Sequence, residues 1–188
     1  ALLKQCFEVG LMGIETPEEF GGAGGSFFQA ILAVEELSRV DASVGVLVDV
    51  QNTLVNNALI HWGNPEQKQK YLPKLASGEW IGCFSLTEPG SGSDAGAARC
   101  MAVKKDGGGV INGTKHFGTN GGAAHVVVLV AVTEPDKSKD RMSAFIVERG
   151  TPGFNVGKLE KKLGIKASST AELIFEDCFV PDEALLGA

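Results

Sequence analysis

The chain lacks any apolar run long enough to cross a bilayer. Its longest, VVVLVAV at 126–132, has seven residues, far below the roughly 18 that a spanning helix needs. It lacks a basic surplus as well: 17 Lys and Arg against 23 Asp and Glu leave a net charge of −6. Residues before Gly78 include 5 basic and 9 acidic side chains, and those after it 12 and 14. Neither half offers the clustered Lys and Arg that nucleic-acid phosphates demand, so no nucleic-acid partner and no membrane insertion are expected. Cysteine is sparse. Cys6, Cys83, Cys100 and Cys178 stand far apart with no C-x-x-C and no neighbouring His pair, which excludes a metal framework and favours reduced, largely buried thiols. No charged stretch followed by an apolar one opens the chain, so no targeting signal is visible and an intracellular setting is expected. Neither end carries a closing element: ALLKQCFEVGLMG begins in mid-helix and VPDEALLGA simply stops. Both read as cut.

What is present is 44% hydrophobic residues over 188 positions, enough for one large domain or two small ones with a real core. Residues 1–78 read as an all-helical domain, incomplete at its start. Gly10 is placed to close a first helix. Ser26 is an N-cap for FFQAILAVEELSRV, where Phe27, Ile31, Val34 and Leu37 recur at helical spacing. Asp41 caps a single helix over 42–61, with Val44, Leu47, Val48, Val55, Ala58 and Leu59 as its apolar stripe. Asn64-Pro65 opens another helix, which Pro73 should kink or shorten and Gly78 should end. From residue 79 to 188 the pattern changes to short β-branched runs, with KKDGGG and TEPDKSKDR as hairpin signals. The class is α+β: a helical domain, then an antiparallel β-barrel or sandwich.

Two stretches do not look like core. SLTEPGSGSDAGAA (85–98) follows the strand IGCFSL and contains three glycines before Ala97. Bare backbone at Gly90 and Gly92 admits close approach of a ligand, and its N–H groups can form an anion nest. Thr87, Ser91 and Ser93 add hydroxyls; Glu88 and Asp94 suit structural roles, capping loop amides or pairing with a base. A ligand loop and a plain tight turn are the two readings. The second stretch, NGTKHFGTNGG (112–122), sets Phe117 beside Gly118 and Thr119. It suits stacking on a ring and bonding to its edge, or else a hairpin turn with one buried Phe. His61, His116 and His125 are scattered and read as satisfied residues. Ser91 lacks a G-x-S-x-G elbow. KLEKKLGIK reads as a solvated face, or as a contact for a nucleotide phosphate.

SLTEPGSGSDAGAA closely resembles the flavin-loop signature of the acyl-CoA dehydrogenases. NGTKHFGTN is similar to that family's N-G-x-K-x-W-I-T-N segment. GLMGIETPEEFGG, VEELSRVDASVGV, NPEQKQKYLPKLASGE and KLGIKASSTAELIFEDCFVP follow family sequence in the same order, with words closest to the short/branched-chain branch. The resemblance implies FAD as cofactor and α,β-dehydrogenation of a short or branched acyl-CoA, with electrons passed to an electron-transfer flavoprotein. It also implies a homo-oligomer at full length and a bacterial cytoplasmic or mitochondrial matrix setting. Carried over by position, Phe84, Ser85, Leu86, Thr87, Gly92 and Ser93 form the FAD strand and loop, and Phe117, Gly118 and Thr119 the ring contacts. Thr87 and the Leu86 backbone would meet the pyrimidine edge, and Thr119 would lie near N5. Ser93 would also meet the acyl-CoA arm, and Lys139 is a weaker substrate candidate.

Two departures stand out. Phe117-Gly118 replaces the family's Trp-Ile, which predicts looser flavin binding. The family's glutamate base lies in a C-terminal helical bundle that this chain does not reach, so no catalytic base is assigned, and exposed apolar surface is expected where the bundle would pack. The rivals are an acyl-CoA oxidase or flavin monooxygenase of the same fold, and a non-catalytic flavin- or CoA-binding module.

Overall fold

A computed structural model describes residues 2–137 and 139–188. Its α-helices lie before Gly78 and its strands begin at Gly82. The helices are α1 (Leu2–Glu8), α2 (Phe27–Val40), α3 (Ala42–Asp49), α4 (Asn57–Trp62) and α5 (Pro65–Ser77). Their ends are set by the residues the sequence marks. Ser26 and Gln29 form a capping box at α2, Asp41 accepts from the Ser43 N–H at α3, and Asn64 and Gln67 form a second box at α5. Each satisfies amide donors that the first helical turn leaves free. Gly78 ends α5 at φ +87°, a left-handed value that glycine adopts without strain.

Three helical expectations need correction. The helix read over 42–61 is interrupted between α3 and α4 by a π-helical segment, Val50–Asn56. Its wider turn shifts the phase of the buried face, so Gln51, Asn52 and Asn56 are buried alongside Val50 and Val55. All three bond to distant backbone. Asn52 accepts from the Ile14 N–H and donates to the Leu11 and Val48 carbonyls, each at 2.8 Å. Asn56 donates to the Met12 carbonyl at 2.8 Å. Gln51 donates to the Leu75 carbonyl and accepts from the Gly82 N–H at 2.9 Å. Second, α5 runs through Pro73 to Ser77. Proline deletes the bond to the carbonyl four residues back, and Gln69 is exposed, so water can satisfy it. Third, the α2 stripe splits: Val34 and Leu37 pack inward, whereas Phe27 and Ile31 are exposed, with Phe28 beside them at 68%.

The strands are β1 (Gly82–Ser85), β2 (Met101–Lys105), β3 (Gly108–Thr119), β4 (Val126–Val132), β5 (Met142–Glu148), β6 (Phe154–Leu159) and β7 (Thr170–Pro181). They form one curled sheet in the order β1-β4-β2-β3-β7-β6, with β5 also paired to β4. The pairs β2–β3 and β4–β5 are antiparallel, as the two hairpin signals require, and so are β3–β7 and β6–β7. Two neighbours of β4 differ. β2 meets it in parallel at Met101 opposite Val132, and β1 runs parallel to it from Gly82 opposite Val126 to Ser85 opposite Leu129. The runs on either side of Asn112 form one 12-residue strand with two bulges. After β7 only the turn Asp182–Ala184 is helical among the described residues. No helix among them is long and apolar enough to cross a membrane.

β4 explains its own unbroken hydrophobicity. Val127, Leu129 and Ala131 face the interior of the curl, while Val126 and Val128 pack against Leu59, Tyr71 and Leu72 of the helices. A strand covered on both faces loses polar alternation. All four cysteines are buried and unpaired, as expected.

Asn52→Leu tests the π segment. It strands the Ile14 N–H and the Leu11 carbonyl in the interior, and buried unpaired groups cost about 1–3 kcal/mol each. The unfolding free energy from urea titration should fall by about 2–4 kcal/mol.

Candidate functional site

β1 is held on every side. β4 pairs with one edge. At the other, Asn120 Nδ2 donates to the Gly82 carbonyl (3.2 Å) and the His116 N–H donates to the Thr87 carbonyl (2.8 Å). The second of these bonds brings the two unusual stretches together: the chain just past β1 meets the C-terminal part of β3.

Beyond Thr87 the chain folds tightly. Glu88 and Ser91 exchange backbone hydrogen bonds at 2.8 and 3.2 Å across Pro89-Gly90. Ser91 Oγ donates to the Asp94 carbonyl at 2.8 Å, so this serine closes the turn and is no nucleophile. Gly90 and Gly92 lie outside the positive-φ region, and a Cβ on either would meet nothing within 4 Å. Nothing inside the protein requires glycine at either place. Ser93 and Asp94 are exposed.

In β3 the ladder to β7 slips between Lys115 and Gly118. The bulge puts Phe117 at φ +56°, a strained value for an aromatic residue, and turns its ring outward, 59% exposed. Bulges re-aim side chains in this way. The buried-Phe hairpin is therefore not what forms. Gly118 is buried, and a Cβ there would stand 3.2 Å from Cys83 Sγ and 3.3 Å from the Ala171 carbonyl. Thr119 is half-buried and pairs with Thr170. Two buried polar atoms at β1, Ser85 Oγ and Asn120 Oδ1, have no partner among the described residues.

Two hollows flank this assembly. One, about 610 Å³, is mostly apolar and lies between the π segment and the sheet, lined by Leu54, Ala58, Trp62, Phe84, Val130 and Leu186. The other, about 630 Å³, lies where the 85–98 loop meets the β4–β5 hairpin, with Lys137, Lys139 and Arg141 at its rim. Arg141 reaches across to the Gly96 carbonyl at 2.6 Å.

The electrostatics separate structural groups from reactive ones. Burial alone would raise the Glu88 carboxyl, but Lys115 and the N–H groups of Arg99 and Cys100 outweigh it and hold the carboxyl below its ordinary value. Burial pushes Cys83 up to about 12 and Cys100 up to about 11, which removes both as thiolate nucleophiles. The histidines next to the sheet are engaged: His125 Nδ1 accepts from the Ile81 N–H and His116 pairs with Glu172. His61 lines the apolar hollow. In KLEKKLGIK, Lys162 is tied to the Ser168 carbonyl and Thr170 Oγ1, and Lys158 pairs with Glu160. Lys115 joins the site with little signal in the sequence: a lysine at the inward phase of a strand, two and four places after Gly113 and Ile111.

Residues 1–79 match the acyl-CoA dehydrogenase N-terminal domain and residues 83–178 the acyl-CoA dehydrogenase middle domain. The chain belongs to the acyl-CoA dehydrogenase family. It is 48% identical to the short-chain specific acyl-CoA dehydrogenase of Clostridium acetobutylicum over 98% of this chain and 49% of that protein. It overlays a chain from the structure of the electron transferring flavoprotein of Acidaminococcus fermentans at a TM-score of 0.96 and 46% identity, covering 100% of this chain and 49% of the other. It is also similar to a glutaryl-CoA dehydrogenase of Mycobacterium smegmatis in complex with FADH2, at a TM-score of 0.90 and 35% identity over 98% of this chain and 46% of that one. The chain thus spans about half the length of the curated relatives it matches. Within this chain, Phe117-Gly118 stands at the bulge of β3.

Glu88 gives a pH test. Its folded carboxyl lies below its unfolded value of about 4.3, so its contribution to stability is complete above that pH and is lost as pH falls through the folded value. Urea unfolding between about pH 5 and pH 3 should weaken more steeply for the native chain than for Glu88→Gln. Glu148 is also held low, with Lys70 and Tyr71 outweighing its burial, so the variant should retain a shallower slope.

Proposed function

We propose that this chain forms the helical (1–78) and middle (79–188) domains of an FAD-dependent acyl-CoA dehydrogenase. It would act on short or branched acyl-CoA thioesters and pass electrons to an electron-transfer flavoprotein. The bacterial cytoplasm or the mitochondrial matrix is the setting proposed, and a homo-oligomer the full-length form. The observation that carries the reading is the 2.8 Å bond from the His116 N–H to the Thr87 carbonyl. It joins a bare Gly/Ser loop to an outward-turned aromatic ring.

The residues present fit FAD. The open Cβ positions of Gly90 and Gly92 leave room for a diphosphate against backbone N–H groups. Phe117 supplies an exposed ring face for stacking. Thr87 and the Leu86 backbone would hold the pyrimidine edge, with Phe84, Ser85, Gly92, Ser93 and Gly118 shaping the rest of the contact. The chemistry that FAD would supply, held by these residues, is that of a hydride acceptor facing the substrate β-carbon. Thr119 would donate a hydrogen bond near N5, where it steadies arriving charge. The apolar hollow behind Phe84 suits an acyl chain. The rim of Lys137, Lys139 and Arg141, which also carries Asp140, suits the phosphates of CoA, and Ser93 is the further candidate for the acyl-CoA arm. Removal of the α-proton is assigned to no residue here. Glu88 cannot serve as base, because Lys115 and two backbone amides already occupy its carboxylate.

Titration of the chain with FAD, followed by visible absorption and flavin fluorescence, tests the reading. A yellow complex is expected, and Thr87→Val with Ser93→Ala should weaken it by about tenfold or more, the scale of lost hydrogen bonds to a charged or polar ligand. Phe117→Trp should tighten it. Absence of flavin uptake by the native chain would sink the proposal.

A further inference from the structure

One buried charge remains without a role. The Lys115 side chain is 0% exposed and that of Glu88 6%, with Nζ 2.7 Å from Oε1. Desolvating two charges is expensive, and apolar residues of similar volume often serve stability as well or better. The placement of this pair points to a different use. Lys115 Nζ also donates to the Leu86 carbonyl at 2.8 Å. Glu88 accepts from the Arg99 N–H at 2.7 Å and the Cys100 N–H at 3.0 Å. One ammonium–carboxylate pair therefore holds both ends of the 86–100 loop. Lys115 itself sits two residues before Phe117, at the edge of the bulge that turns that ring outward.

Covalent geometry extends the consequence. In a trans peptide the carbonyl of one residue and the N–H of the next point in opposite directions, and no peptide bond among the described residues is cis. Drawing the Leu86 carbonyl toward buried Lys115 therefore turns the Thr87 N–H away from it. That N–H donates to no acceptor among the described residues. It is free for an acceptor atom supplied from outside.

We infer that Lys115, braced by Glu88, is a positioning residue that orients the Leu86–Thr87 peptide and fixes it relative to Phe117, so that a ring ligand is gripped at its edge and face together. The ligand part of this inference rests on the flavin reading above; the loop-ordering part does not.

Lys115→Met removes the donor and the charge. Two readouts apply: FAD affinity by fluorescence quenching, and amide hydrogen exchange of residues 86–100 in the flavin-free chain. The expected result is loss of protection in that loop together with an affinity drop of about tenfold or more. Leu72→Ala on α5 serves as a control that lowers global stability, and it should leave both loop protection and affinity unchanged. Lys115→Arg, which keeps a buried cation, should recover part of the affinity. Should Lys115→Met fail to fold, Glu88→Gln carries the same two readouts with a smaller expected change. Native affinity and native loop protection in the folded variants would overturn the inference. So would an equal affinity loss in Leu72→Ala. If the native chain takes up no FAD, the flavin reading fails by itself and exchange alone decides: lost loop protection supports the positioning role, and unchanged protection removes it.

Discussion

A strand of four residues has too few ladder bonds to keep its own place, and β1 is such a strand. It stays where it is because different parts of the chain hold it from several directions. β4 pairs along one edge, Asn120 and His116 hold the other, and Gln51 of the π segment accepts from its first N–H. All four of these grips come from residues at least 29 positions away in sequence. The candidate ligand loop leaves directly from this strand, so its starting direction is fixed by tertiary structure and not by local turn chemistry.

The parts of the fold that were legible in the sequence are those in which neighbouring residues settle the matter. Ser26, Asp41, Asn64 and Gly78 mark helix ends because capping is a contact over two to four positions. The Asp-Gly between β2 and β3 marks a hairpin for the same reason. The parts that were not legible depend on distant partners. Nothing in VQNTLVN announces a π turn, because the benefit lies in carbonyls and amides 24 to 44 residues away. The parallel pairing of β1 is equally silent, since parallel and antiparallel neighbours demand the same short apolar run. Phe27 and Ile31 obey helical spacing and remain exposed, because periodicity identifies an apolar face without supplying what covers it.

The site divides along the same line. The glycine and hydroxyl content of 85–98 and the aromatic in 112–122 could be seen as unusual at once. That the aromatic would face outward could not, because the direction follows from a register slip against β7. Lys115 was harder still. A lysine in a strand is ordinarily a surface residue, and only its reach to Leu86 and Glu88, 29 and 27 positions back, makes its burial tolerable. Acidic Glu88 shows the converse: its structural part was readable because a carboxylate suits loop amides and a basic partner, and it takes both.

The far end of the chain shows how tightly the two halves are joined. Gln67 on α5 donates through Nε2 to the carbonyls of Glu183 and Leu185, and its Oε1 accepts from the Gly187 N–H. The polypeptide is therefore fastened to itself at two widely separated places, once through Gln51 at the crossover into the sheet and again through Gln67 after the sheet is complete. A single protease nick between Ser77 and Gly82 would leave the fragments clasped together. Their separation would require denaturant, much as a ring opened at one point keeps its shape while its clasp is shut.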